Sequence, residues 1–162
     1  MKNYIYISFL ILVGIIFSVD STLTDKYGQA QEFRKSGDYD NCLSLLFELE
    51  SYDIKYNYEI AEIYLNDFNN YTIALEHFNK ILINMDLGSD ITLDSKDIYK
   101  KSLFMSSYIY SNYLGMYTKG YKGYKLFLEL FPNDELLKSV NYEIDLLESK
   151  EVSKNNLLNK IK

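Results

Sequence analysis

Few residues in this chain have the types and the spacing that enzyme chemistry requires. Catalysis by side chains needs a nucleophile beside a base, two carboxylates in one pocket, or a glycine-rich loop that holds phosphate, and the sequence shows none of these. The single histidine, His77, precedes Phe78 on a predicted outer helix, which favours a solvated surface position. Cys42 is the single cysteine and is expected to be an inert, buried thiol. No catalytic residue, metal ligand or cofactor is therefore predicted.

The charge and the aromatic content indicate the class of partner. The 162 residues include 17 Lys and Arg against 23 Asp and Glu, which gives a net charge of -6. Nucleic-acid binding depends on counterion release by a basic surface, which this acidic chain does not offer. The chain has 17 Tyr and 9 Phe, and such rings suit packed interfaces. We expect a protein or peptide partner and no nucleic acid.

The chain begins with an apolar run behind one lysine. The run from Tyr4 to Val19 contains no charged residue, and Asp20 follows it. A helix over this run would be about 24 Å long, shorter than the roughly 30 Å hydrocarbon core of a bilayer. Residues 1–21 are predicted to be a cleaved secretory signal, with a short uncleaved membrane anchor as the alternative. Both predict an exported protein, periplasmic or associated with the envelope, that contacts a membrane only through these residues.

A pattern of small and aromatic residues recurs three times in the rest of the chain. Each copy has a small residue with an aromatic residue three positions later, then a turn on Gly or Asn with Tyr two positions on. A second small residue follows, with large residues four and seven positions after it. Two antiparallel helices approach closely only where side chains are small, and Gly or Asn supplies the left-handed backbone of the turn. The small residues expected to face one another are Ala30, Ala61 and Ser107 on the first helices and Cys42, Ala74 and Gly120 on the second. The pattern offers no reason for Gly123.

These copies resemble the tetratricopeptide repeat, and Pro132 stands where the third copy should have the closing proline of that repeat. The resemblance covers about residues 23–132. It implies an all-α fold, a short right-handed solenoid of about three helix hairpins plus a C-terminal capping helix. The repeat domain is predicted over residues 22–150, and residues 151–162 are predicted to be a polar, basic tail with a frayed end.

The spacing of the copies departs from the family. The tyrosines that follow the three turns, at 39, 71 and 117, stand 32 and 46 residues apart, against the usual 34. The surplus falls in "MDLGSDITLDSK", where Gly88 is expected to end one helix and Asp94 to cap the next. We therefore expect a longer first helix in the third copy, beginning near Ser95. The second and third turns each have one residue more than the first.

In tetratricopeptide arrays the first helices line a concave groove, and the resemblance places nine residues of this chain in it. The predicted lining is Tyr27, Gln31, Arg34, Tyr58, Glu62, Leu65, Phe104, Tyr108 and Asn112. The rings of Tyr27, Tyr58 and Phe104 would form a column that holds a helix or an extended segment of a partner. The alternative is that these rings pack between repeats as core.

The third copy, "YKLFLELFPNDELLKSVNYEI", is also similar to the repeats of outer-membrane barrel-assembly lipoproteins of the BamD type and of TolA-binding periplasmic proteins. This resemblance implies an exported scaffold for protein–protein interaction in envelope or outer-membrane protein assembly. The lipid-acceptor cysteine of the lipoproteins is absent. Two alternatives stay open: a membrane-anchored structural subunit that self-associates, and an accessory or small-molecule-binding module. Neither the partner nor the oligomeric state follows from the sequence.

Overall fold

The computed structural model describes residues 21–85 and 92–160, with side chains described as far as residue 150. Every regular element in this range is helical and none is a strand, which confirms the predicted all-α class. A π-helical segment, Ile109–Tyr113, follows the fifth helix without a break. The α-helices are α1 (residues 21–36), α2 (Tyr39–Leu49), α3 (Ile54–Asn66), α4 (Tyr71–Asn84), α5 (Leu93–Tyr108), α6 (Tyr117–Leu130) and α7 (Leu137–Lys160).

The predicted signal or anchor, residues 1–21, lies outside the described residues except for Ser21. Gly88, the predicted end of a helix, lies outside them as well. In the part of the chain that the structure describes, no helix is both long enough and apolar enough to cross a bilayer.

The three turns predicted from the repeat pattern have the expected backbone. Gly37, Asn69 and Gly115 have φ angles of 78°, 52° and 64°, the left-handed conformation that ends a helix. The next helix begins two residues later in each case, at the tyrosines that start α2, α4 and α6. The side chains of Asp38 and Asn70 cap α2 and α4 by accepting hydrogen bonds from main-chain N–H groups.

The extra residue predicted in the second and third turns shows in their hydrogen bonds. In the first turn the Asp38 N–H donates to the carbonyl of Phe33, five residues back, at 2.9 Å. In the other two the closing bond reaches six residues back, from Asn70 to Tyr64 and from Met116 to Tyr110, at 2.7 Å each. The second and third turns therefore share one geometry that is one residue wider than the first.

The chain forms two compact units, residues 1–56 and residues 57–162. In the first unit, Ala30 of α1 is fully buried, as are the three residues of α2 that the repeat pattern selects, Cys42, Leu46 and Leu49. The free Cys42 thiol is buried, which confirms the predicted position of this side chain but does not bear on its reactivity. An ion pair between Lys26 Nζ and Glu48 Oε2, 2.5 Å apart, joins α1 to α2.

In the second unit, α4 packs on α5, α5 on α6 and α6 on α7. Its apolar interior contains two clusters of buried side chains. The cluster nearer α4 consists of Ala61, Leu65, Ala74, Leu75, Phe78 and Ile109. The cluster nearer α7 consists of Tyr99, Leu103, Tyr124, Phe127, Phe131, Val140, Ile144 and Leu147.

The six small residues that the pattern selects are all buried. A Cβ atom at Gly120 would lie 2.8 Å from the Ser107 carbonyl oxygen and 2.8 Å from the Ser111 Cβ, which confirms the predicted close approach of α6 to α5. Gly123 contacts the same serine, because a Cβ there would overlap the Ser107 hydroxyl and lie 3.1 Å from its Cβ. Close contact with Ser107 therefore explains Gly123 as well as Gly120.

Helices α5 and α7 differ in detail from their predictions. α5 has 16 residues against 13 in α3, so the longer first helix is confirmed. It begins at Leu93 rather than near Ser95, because the Thr92 hydroxyl, and not Asp94, caps it by accepting a hydrogen bond from the Ser95 N–H.

Before α7, the Asp134 carboxylate accepts hydrogen bonds from the Leu136 N–H and from Lys100. The backbone of α7 stays helical to Lys160, through most of the segment predicted as a tail.

Candidate protein-binding site on the second unit

Three of the predicted groove residues lie on successive turns of the third hairpin. Phe104, Tyr108 and Asn112 are four residues apart, and side chains at that spacing share one face of a helix. The rings of Phe104 and Tyr108 are nearly parallel, with centroids 6.4 Å apart. The inner edge of Phe104 packs on the core rings of Tyr124 and Phe127. Phe104 thus connects the core to Tyr108, which lies on its outer side.

The π-helical segment places a second tyrosine, Tyr113, beside Tyr108. A π turn holds one residue more than an α turn, so the side chains after it point in directions that a continuous α-helix would not give them. The Tyr113 ring meets Tyr108 edge to face, with centroids 5.8 Å apart, and stacks on Tyr71 of α4 at 3.8 Å. Tyr113 is 46% exposed. We call the three half-buried or exposed rings of Tyr71, Tyr108 and Tyr113 the tyrosine row.

A carboxylate lies beside the tyrosine row. Asn112 is exposed, and its Nδ2 donates to Oε2 of Glu143 on α7 at 3.0 Å. Glu143 itself is only 9% exposed. Among the described residues, no lysine or arginine forms an ion pair with it. A carboxylate that is largely buried with only an amide as partner is costly unless a further group compensates it.

The Glu143 carboxylate acts on the pKa values of two tyrosines. Burial raises the pKa of Tyr108, and the nearby Tyr113 and Glu143 act in the same direction. Burial also raises the pKa of Tyr124; the Ser111 hydroxyl opposes this shift, and Glu143 adds to it. The side chain of Tyr124 is fully buried.

The groups of this arrangement can contact and orient a ligand. Tyrosines with raised pKa values stay protonated at neutral pH, so neither hydroxyl is a base or a nucleophile there. The described residues contain no group of three or more His, Cys, Asp or Glu side chains that could hold a metal ion. Exposed rings beside one carboxylate and one amide supply contact area and polar contacts that fix orientation.

Comparison of the chain with protein-family models, with characterised proteins and with solved structures gives no match.

The groove residues predicted on α3 lie closer to the core than expected. Leu65 is only 8% exposed and belongs to the cluster nearer α4, which leaves little of its side chain available to line a groove. Its side chain packs with Ala61 and Ala74 because the two small residues leave room for it. Tyr58 is half-buried and packs edge-on against Phe78, with ring centroids 5.7 Å apart. Glu62 is half-buried on the same helix.

The remaining three groove residues, Tyr27, Gln31 and Arg34, lie in the first unit and are half-buried. The Tyr27 ring packs edge-on against Tyr56, with centroids 5.3 Å apart. Lys55 Nζ lies 4.9 Å from the centroids of both rings. A cation of the chain itself therefore already occupies the face of Tyr27.

The structure also corrects the prediction for His77. The residue is 2% exposed, so it is not a solvated surface histidine. Its Nδ1 lies 3.0 Å from Oδ1 of the buried Asn57 on α3, and its ring is nearly parallel to that of Tyr64. The adjacent residues His77 and Phe78 are both buried, so α4 buries more than one narrow face.

The predicted groove omits three residues of this site, Tyr71, Tyr113 and Glu143, and the carboxylate of Glu143 is the charged one among them. A signal for it exists, because Glu143 stands three residues after Val140 and four before Leu147, both buried on α7. That spacing puts a carboxylate on the apolar face of the helix. An acid on the buried face of an otherwise amphipathic helix indicates a specific polar partner.

Proposed function

We propose that this chain is an exported scaffold of the tetratricopeptide-repeat type that binds a segment of another protein. The proposed architecture is a right-handed solenoid of three helix hairpins closed by α7. Its main support is the recurrence of a left-handed turn residue at Gly37, Asn69 and Gly115, each followed two residues later by a helix that begins with tyrosine. Support for binding comes from the tyrosine row and the Asn112–Glu143 pair beside it.

The proposed occupant is a helix or an extended peptide segment lying along α5 and α7. Aromatic side chains dominate the energy of many protein interfaces, and flanking hydrogen-bonding groups fix the register of the bound segment. The similarity of the third copy to repeats of envelope assembly proteins favours a role in assembling envelope or outer-membrane proteins. Export itself is proposed from the apolar run of residues 1–21.

Site-specific photo-crosslinking tests this proposal. A photoreactive benzoylphenylalanine at position 113 replaces an exposed ring of the site, and the same residue at position 52 replaces Tyr52, an exposed tyrosine of the first unit. In the cells that produce the protein, we expect an adduct of one defined mass at position 113 and not at position 52. Equal crosslinking at both positions, or none at position 113, would contradict the proposal.

The same experiment separates the alternatives. An adduct of twice the mass of the chain would indicate self-association in place of a different partner. N-terminal sequencing of the protein after cell fractionation would show whether residues 1–21 are removed. Retention of these residues in the membrane fraction would favour an anchored subunit over a free periplasmic one.

A further inference from the structure

We propose that the site beside the tyrosine row binds a cationic side chain, an arginine guanidinium or a lysine ammonium, of the partner segment. This inference rests on the proposed function and specifies the chemistry of the partner. Glu143 would pair with the cation, a ring face of Tyr108 or Tyr113 that these rings do not already use would contact it, and Asn112 would hold the carboxylate in place.

The first argument is the state of the carboxylate. Glu143 is largely buried, and the hydrogen bond from Asn112 satisfies only one of its oxygens among the described residues. Each carboxylate oxygen accepts two hydrogen bonds, so most of its capacity is unused. A guanidinium carries several N–H donors in a planar fork, and an ammonium carries three. Either group would complete the pairing and compensate the buried charge.

The second argument is that other tyrosine rings of this chain, from the buried Tyr56 to the exposed Tyr117, already contact lysine side chains. Lysine Nζ atoms lie over the rings of Tyr27 and Tyr56 at 4.9 Å, of Tyr110 at 5.1 Å and of Tyr117 at 5.4 Å. Such contacts arise because the face of an aromatic ring is electronegative. Within the described residues, no lysine or arginine takes this position over Tyr108 or Tyr113. These rings lie beside the buried carboxylate. A cation of the partner segment would therefore be attracted both by a ring face and by the negative charge of Glu143.

A pair of small probes tests the charge requirement directly. N-acetyl-arginine amide carries the cation, and N-acetyl-citrulline amide has nearly the same shape without it. Each is titrated into the full chain while the ring signals of Tyr108 and Tyr113 are followed by NMR. We expect saturable shifts with the arginine probe and affinity at least about tenfold weaker with the citrulline probe. Equal affinity of the two probes, or no shift with either, would overturn the inference.

Two variants locate the binding. Glu143→Gln keeps an acceptor for Asn112, so the fold should persist, and arginine-probe affinity should fall about tenfold or more. Asp145→Asn removes the same charge from an exposed position on α7 and should leave the affinity within twofold of the wild type. Tyr113→Leu removes an exposed ring and should weaken the probe several-fold, which keeps a test available if Glu143→Gln does not fold. An unchanged affinity in Glu143→Gln and in Tyr113→Leu would refute the site.

The probe titration and the crosslinking at position 113 can succeed or fail independently, so they test the cationic contact and the proposed function separately. If the probes do not bind while the adduct at position 113 forms, only the cationic nature of the contact is wrong. If the probes bind at Glu143 while no adduct forms, the scaffold proposal fails, and the site recognises a free cation.

Discussion

Gly120 of α6 lies so close to α5 that a Cβ atom at this position would be 2.8 Å from the carbonyl oxygen of Ser107. That oxygen belongs to the main chain and cannot rotate away, so a larger residue must separate the two helices. The contact gives the third hairpin its tightest point. It also explains why a helix interior keeps a residue with poor helix propensity.

We predict that Gly120→Ala destabilises the protein. Overpacking costs roughly 1–3 kcal/mol and the better helix propensity of alanine returns up to about 1, so the net loss should be about 1–2 kcal/mol. Gly28 of α1 is the matched control, because a Cβ there would meet nothing within 4 Å. Gly28→Ala should raise the free energy of unfolding by about 0.5–1 kcal/mol. Urea denaturation of both variants measures the difference, and equal effects would contradict the close packing at Gly120.

Gly123 gives a sharper test, because its close contact is with a side chain. A Cβ at Gly123 would overlap the Ser107 hydroxyl, which donates to the Leu103 carbonyl at 2.7 Å. Gly123→Ala should be destabilising by itself and largely rescued by Ser107→Ala in the double variant. The same Ser107→Ala should not rescue Gly120→Ala, since the carbonyl remains. A double-mutant cycle on unfolding free energies decides between these results.

The buried His77–Asn57 pair should contribute to the stability of the second unit. Asn57→Ala removes the oxygen that lies 3.0 Å from His77 Nδ1, and loss of a buried hydrogen-bond partner costs about 1–3 kcal/mol. Asn79→Ala is a suitable comparison, because Asn79 donates to the Tyr110 hydroxyl at a half-buried position. It should cost less than Asn57→Ala in thermal or urea unfolding. The reverse order would show that the His77 contact contributes little.

Asp97 at the start of α5 should make stability fall in acid. The hydrogen bond from Lys101 lowers the pKa of Asp97, and Lys100 adds to this, while burial opposes it. Because the folded pKa lies below the usual 3.8, the stabilisation is complete well above pH 4 and is lost as the pH falls through the folded value.

Asp97→Asn should therefore flatten the decline of the melting temperature between about pH 5 and pH 3. The effect should be modest, below about 1 kcal/mol, because these side chains are partly exposed. Asp145→Asn, at an exposed position on α7, is the control for removal of one charge. A slope for Asp97→Asn that matches the wild type would contradict the prediction.

Features set by short-range sequence were predictable. The turns at Gly37, Asn69 and Gly115 follow from local backbone preference, and the buried small residues follow from their spacing along each helix. The extra residue in the second and third turns can be counted in the sequence. In the structure, the hydrogen bond that closes each of these turns spans six residues instead of five.

Features that depend on tertiary packing were not predictable in this way. The burial of His77 depends on Asn57, twenty positions away, and a periodic pattern does not reveal such a partner. Leu65 was assigned by its repeat position, although the neighbouring alanines draw it into the core. The π-helical segment Ile109–Tyr113 has no residue type or spacing in the sequence that distinguishes it from the α-helix before it.

The π-helical segment has an evolutionary consequence. The π turn holds one residue more than an α turn, so removing one residue between Ile109 and Tyr113 would let the segment become α-helical and would change which of its side chains lie beside Tyr108. The helices before and after would keep their own sequences and their buried contacts. A deletion or insertion of one codon at this point is thus a short mutational route by which related chains can acquire different ligand preferences.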